Sequence, residues 1–326
     1  MKPTTFVFQL ALIAGCKGQE YDLLRDLPAY GQSNPPAVDN VVQQDRIVQV
    51  TTPLVDVLWV VDNSSSMGPY QQDLAQNFPA FMNYFLGSGL DYHIGVVSTD
   101  MARDNQSGKL TEASTGERYI SLDTVDPMAV FQEMAELGEI IGSVERGREA
   151  AFTALELLQD EENVGFLRDD RESGVHVMII SDEPDYSNNS PVTKDEFVGY
   201  LNGKRADPAT VTFNSICRPS TGDDYIYVSL GVGGILHDIQ QGDWIDVLDQ
   251  LGVQAAGLKR EFFLSRLPVV DTIEVRVTDP QGVVIPFAAT EYDYSPERNS
   301  ITFDTYLPDP LAQVTIEYTV LSALAN

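Results

Sequence analysis

Histidine and cysteine are scarce in this chain: three and two among 326 residues. His93 and His176 fall inside apolar strand patterns, and His237 follows the glycine-rich turn Gly231-Val232-Gly233-Gly234. No Gly-x-Ser-x-Gly elbow and no His-Glu-x-x-His pair is present, and the glycine-rich turn lacks the lysine and spacing of a phosphate loop. The usual enzymatic signatures are therefore missing, and water activation at an acidic metal site is the only hydrolytic route left open. Basic residues are also few. Twenty Lys+Arg face 49 Asp+Glu, a formal charge of −29 and a pI near 4.2. Such a field repels phosphates and argues against nucleic-acid binding. With 43% hydrophobic residues the chain still has the means to bury a core beneath that acidic surface. The N-terminal apolar run, residues 6–14, is interrupted by Gln9 and is too short to span a bilayer.

What is present centres on residues 54–67, Leu-Val-Asp-Val-Leu-Trp-Val-Val-Asp-Asn-Ser-Ser-Ser-Met. Residues 57–61 are β-branched, aliphatic or aromatic without polar alternation, the pattern of a strand buried on both faces. The strand ends in Asp62-x-Ser64-x-Ser66, which sets one carboxylate and two hydroxyls at the carboxyl edge of a sheet. Open α/β sheets bind ligands at that edge. These oxygens suit a hard divalent cation, Mg²⁺, Mn²⁺ or Ca²⁺, better than zinc. The competing explanation is that Asp62 and the serines only cap the following helix. A second apolar strand, residues 175–181, also ends in an aspartate, Asp182, followed by Glu183-Pro184-Asp185.

Asp62-x-Ser64-x-Ser66-Met67 after Leu-Trp-Val-Val resembles the first loop of the metal-ion-dependent adhesion site of von Willebrand factor A (vWA) domains. The resemblance implies a doubly wound, mostly parallel α/β sheet (vWA, Rossmann-like) with Mg²⁺, or Mn²⁺ or Ca²⁺, at its top. It implies that Ser64 and Ser66 bind the ion directly, that Asp62 acts largely through water, and that Asp182 supplies the third loop. The middle loop departs from the family. Val144 falls where a threonine often stands in Gly142-Ser143-Val144-Glu145-Arg146-Gly147, so Ser143 takes the role if the loop shifts by one residue. Glu145 is the second candidate and would add a charge. The function implied is binding of a protein ligand that offers a carboxylate, with Asp100, Tyr186 and residues 101–118 at the rim. A scaffold with a purely stabilising metal site is the alternative.

The remaining pattern alternates as such a fold requires. Helices are expected over residues 70–86, 127–137, 150–158, 193–201 and 243–251, and strands over 92–98 and 210–216. From residue 258 the chain changes to short strand-like runs at 261–264, 272–278, 283–288, 300–303 and 313–320, separated by Pro/Gly/Asn turns. This reads as a small antiparallel β-sandwich or added sheet.

At the N-terminus, Ile13-Ala14-Gly15-Cys16 resembles a bacterial lipoprotein processing box. That implies a signal peptide over residues 1–15, acylation of Cys16 and a membrane anchor, with Lys17 favouring the outer membrane. Residues 16–48 then read as a polar tether, 49–257 as the vWA domain and 258–326 as the β domain. With Cys16 acylated, Cys217 has no disulfide partner and reads as a buried structural thiol.

Overall fold

The computed structural model describes residues 40–49, 54–86, 90–141, 144–169, 173–303 and 305–321. In chain order the first elements are β1 (Asn40–Val48), β2 (Leu54–Val61), α1 (Gly68–Met82), β3 (Asp91–Ser98), α2 (Pro127–Ala135) and α3 (Gly147–Phe152). Then come β4 (Gly174–Ser181), α4 (Lys194–Asn202), β5 (Val211–Cys217), α5 (Asp223–Val232), β6 (Leu236–Asp238) and α6 (Trp244–Ala255). The last are β7 (Glu261–Phe263), β8 (Glu274–Thr278), β9 (Val284–Phe287), β10 (Tyr292–Ser295), β11 (Ser300–Phe303) and β12 (Gln313–Leu321).

A five-stranded parallel sheet in the order β3-β2-β4-β5-β6 forms the centre of the α/β part. Alternate side chains of β2 serve opposite faces, as a strand buried on both sides must. Val57, Trp59 and Val61 join the buried residues of α1, α2 and α6, whereas Leu58 and Val60 join those of α3, α4 and α5. Trp59 meets Phe78, Phe81 and Phe131 edge-on, with centroids 6.4, 5.3 and 5.7 Å apart. Each such pair adds about 1 kcal/mol beyond the area it buries, which holds α1 and α2 against the strand that leads into Asp62. This is the doubly wound α/β architecture expected from the sequence, with helices on both faces of a parallel sheet.

The other end of β2 is fastened by charge. Asp56 is fully buried and accepts from the Arg168 amide at 3.0 Å, from the Arg168 guanidinium, and from Arg205 at 3.4 Å. Five residues of strand lie between Asp56 and Asp62, roughly 20 Å along the sheet.

The C-terminal strands form two antiparallel layers, β12-β8-β9 with β1 beside β12, and β10-β11-β7. Phe262, Val275, Val277, Ile301, Phe303, Val314 and Ile316 come from both layers and fill one shared core, so the arrangement is a sandwich. Four elements were not expected from the sequence: β1, α5, β6 and β10. Residues 40–48 were expected in the tether but form β1, where Asp45 accepts from Ser265 and Tyr318. Their polar composition hides the strand because β1 is a sheet edge with its outward residues in water. β10 lies between the expected runs 283–288 and 300–303, in a stretch to which no strand was assigned. The signal-peptide and lipidation residues, Cys16 included, lie outside the described residues. Cys217 is free and buried, and burial pushes its thiol up to about 12.

Candidate metal centre

The parallel register brings the ends of β2, β4 and β5 side by side, because Val61 pairs with Ile180 and Ser181 with Cys217. Asp62, Asp182 and Arg218 therefore emerge together, one residue past each strand. The Asp62 amide donates to Ile180 O at 2.9 Å, which fixes the first loop to β4. Its carboxylate is fully buried, with Oδ1 accepting from the Ser64 amide at 2.7 Å and Oδ2 from Ser181 Oγ at 2.6 Å. Both oxygens are thus already engaged, which suits a role at one remove from an ion.

Ser64 Oγ and Ser66 Oγ lie 3.3 Å apart, and Ser66 Oγ donates to Asp182 Oδ1 at 2.9 Å. The four expected residues from the first and third loops, Asp62, Ser64, Ser66 and Asp182, converge. Helix capping does not account for them: α1 starts at Gly68 with Met67 as its N-cap and no side-chain capping bond. Instead, Gln71 of α1 reaches back to Asp62 O at 2.9 Å and Gly138 O at 3.2 Å, locking the loop from the helix side.

Ser143 lies outside the described residues. The middle loop contributes Glu145, which is 1% exposed and accepts from Thr99 Oγ1 through Oε2, while Oε1 has no hydrogen-bond partner. Its backbone is clamped by Tyr186 N to Glu145 O at 2.7 Å and Arg146 N to Thr99 O at 3.0 Å. Gly147 follows because a Cβ there would meet Ile179 Cδ1 at 2.6 Å and the Tyr225 hydroxyl at 2.8 Å. From α3, Arg148 pins the loop after β4 through Asp185 at 3.3 Å and Ser187 O at 2.7 Å.

Electrostatically the site is frustrated as it stands. Burial first, and the charge of Glu145 second, push the Asp62 carboxyl up to about 7. Arg218 offsets Asp182, bonding Oδ2 at 2.8 Å. Once Asp62 is ionised, three carboxylates less one guanidinium leave two negative charges beside two hydroxyls. The donor set is all hard oxygen, one buried carboxylate oxygen is unsatisfied, and the excess charge matches one divalent cation, so the residues fit such an ion. Among the described residues no cluster of three or more His, Cys, Asp or Glu side chains stands at metal-binding spacing, so an ion here needs the serine hydroxyls as ligands.

Asp100 serves its own turn, accepting from the Ala102 amide at 2.7 Å and pairing with Arg103. Tyr186 is exposed at the rim. Ser181, Thr99 and Arg218 were not singled out from sequence. Ser181 carried a faint signal as the residue before Asp182, but its role depends on β2 and β4 being neighbours.

No family model matches the chain, and no curated protein matches it in sequence. Among solved structures it is similar to a von Willebrand factor type A protein from Catenulispora acidiphila, at 10% identity and a TM-score of 0.40, over 90% of this chain and 68% of that one. It is also similar to the pilus adhesin SpaC from Lactobacillus rhamnosus GG, at 10% identity and 0.42, over 86% of this chain and 43% of the adhesin. A third is proximal thread matrix protein 1 from the mussel byssus, at 12% and 0.41, over 67% of this chain and 49% of that one. None of these is close enough to carry an argument about what this chain does.

Proposed function

We propose that this chain is a lipid-anchored bacterial surface protein, held at the outer membrane through Cys16, whose vWA-like domain binds a protein partner through a divalent cation. The observation that carries the reading is the convergence of Asp62, Ser64, Ser66, Asp182 and Glu145 on one strand edge with unsatisfied negative charge. Ser64, Ser66 and Asp182 would hold Mg²⁺, Mn²⁺ or Ca²⁺ directly, and Asp62 would orient water in its shell. A bound ion supplies a Lewis-acidic position for a carboxylate of the partner. The chain's own residues orient that position: Gln71 and Ile180 fix the first loop, and Arg148 fixes the third. We read the protein as a binding module rather than an enzyme. His176 is buried against Thr212, and His93 is occupied by Phe166 O.

A scaffold role with a purely stabilising ion is the second reading. It is favoured by one feature, that the site already contains the carboxylate of Glu145. Calorimetric titration with Mg²⁺, Mn²⁺ and Ca²⁺, with and without Asp62→Ala, tests the cation. Saturable binding that vanishes in the variant supports the site, and unchanged binding in the variant sinks it. Chelation separates the two roles: a binder releases its partner and stays folded, whereas a scaffold loses thermal stability with no partner responding.

A further inference from the structure

We propose that Glu145 is a direct ligand of the cation and makes the site hold Ca²⁺, in preference to Mg²⁺, without any partner carboxylate. This rests on the cation reading above and deepens it by naming the ion and the residue that selects it.

Glu145 is among the most buried carboxylates of the chain, yet one of its two oxygens bonds to nothing. Buried carboxylate oxygens are costly to leave unsatisfied and are kept where something completes them. The described residues do not supply that completion. Among the described residues no Lys, Arg or His pairs with Glu145: Arg146 turns to Glu149 at 3.2 Å, Arg103 to Asp100, and Arg218 to Asp182. The side chain is not free to leave for solvent either. Thr99 Oγ1 holds Oε2, and the backbone is clamped on both sides by Thr99 and Tyr186. The carboxylate is therefore fixed beside the first loop: Thr99, which bonds Oε2, also donates its amide to Val61 O at 3.1 Å, the residue just before Asp62.

Replacing a neutral hydroxyl by this carboxylate changes what the site selects. Mg²⁺ demands near-ideal octahedral geometry and usually keeps several waters with one or two carboxylates. Ca²⁺ accepts six to eight oxygens in flexible geometry, and its affinity rises with the number of charged ligands and with the rigidity of the site. Two carboxylates able to bind directly, a third behind them, two hydroxyls and loops pinned by Gln71 and Arg148 meet the second description. The larger coordination number also leaves room for a partner's carboxylate to add to the shell rather than to complete it.

The experiment is calorimetric titration of the full chain with Ca²⁺ and with Mg²⁺, on wild type, Glu145→Gln, Glu145→Thr and Asp62→Ala, alongside thermal melts in chelator. The expected result is Ca²⁺ binding by the partner-free wild type about tenfold or more tighter than Mg²⁺, with both Glu145 variants losing that preference and most of the Ca²⁺ affinity. In chelator both variants should melt no lower than wild type, an outcome that a merely structural glutamate would not give. If Glu145→Gln binds Ca²⁺ as wild type does while Asp62→Ala does not, this inference falls and the cation reading stands. Mg²⁺ binding as tight as Ca²⁺ in wild type also overturns it. Binding of neither ion overturns both.

Discussion

Replacing Asp62 by asparagine should stabilise the metal-free protein, although it removes the residue on which the site is built. The wild-type carboxyl shifts from 3.8 to about 7 on folding. A group raised in this way favours the folded state fully below 3.8, and that contribution is lost as pH rises through about 7. At 1.36 kcal/mol per unit, the fully ionised site above that range carries a penalty of roughly 4 kcal/mol, and about 3 kcal/mol of it develops between pH 5 and pH 8. Asparagine escapes this penalty and keeps most of the local bonding. Its Oδ1 still accepts from the Ser64 amide, and its Nδ2 can donate to Ser181 Oγ, whose hydrogen then turns to Glu183 O at 3.2 Å. Weakening the bond from Ser181 costs about 1 kcal/mol. The net gain at pH 8 is about 2–3 kcal/mol in chelator. Urea unfolding followed by tryptophan fluorescence is a suitable assay, since Trp59 is buried in the strand leading to the site. The quantity to read is the stability difference between wild type and variant at pH 5 and at pH 8, because groups that do not face Asp62 titrate equally in both and cancel. A difference that is the same at the two pH values would refute the reasoning, since Asp62 would then not be raised.

Two further outcomes follow from groups remote from the metal loops. Burial lowers His176 from 6.5 to about 4, so its contribution is present above 6.5 and is lost as pH falls toward 4. That loss is about 3 kcal/mol, and His176→Gln should flatten it in acid-unfolding curves. Asp56→Ala would remove the fully buried carboxylate that Arg168 and Arg205 share, leaving Arg168 its pair with Asp91 and Arg205 its bonds to Ser173, and should cost about 3 kcal/mol in denaturant unfolding. Cation affinity at the opposite sheet edge should survive in whatever fraction remains folded. A loss of affinity without a loss of stability would show that the two ends of β2 are not independent.

Much of the α/β part was legible in the sequence because buried parallel strands announce themselves. Residues 57–61 and 175–181 are apolar on both faces, and each ends abruptly in an oxygen-bearing loop. Period and composition are local properties, so Asp62, Ser64, Ser66 and Asp182 could be picked out before any contact was known. The short strands after residue 260 were visible for the same reason, through alternation and turn residues. Where the local signal was weak, as in the polar edge strand β1, the reading fell short.

What tertiary structure alone decided is which groups share a space. Ser181 matters because β4 lies beside β2, and Arg218 because β5 lies beside β4. Neither adjacency is encoded in spacing along the chain. The choice of Glu145 as the carboxylate of the middle loop rests on its burial, its bond from Thr99 and its unsatisfied oxygen, all of which exist only once the loop is folded against β3. Sequence determined the kind of atoms available at the sheet edge. Packing determined how many charges are confined there together, and in a low-dielectric interior that number governs which ion they can hold.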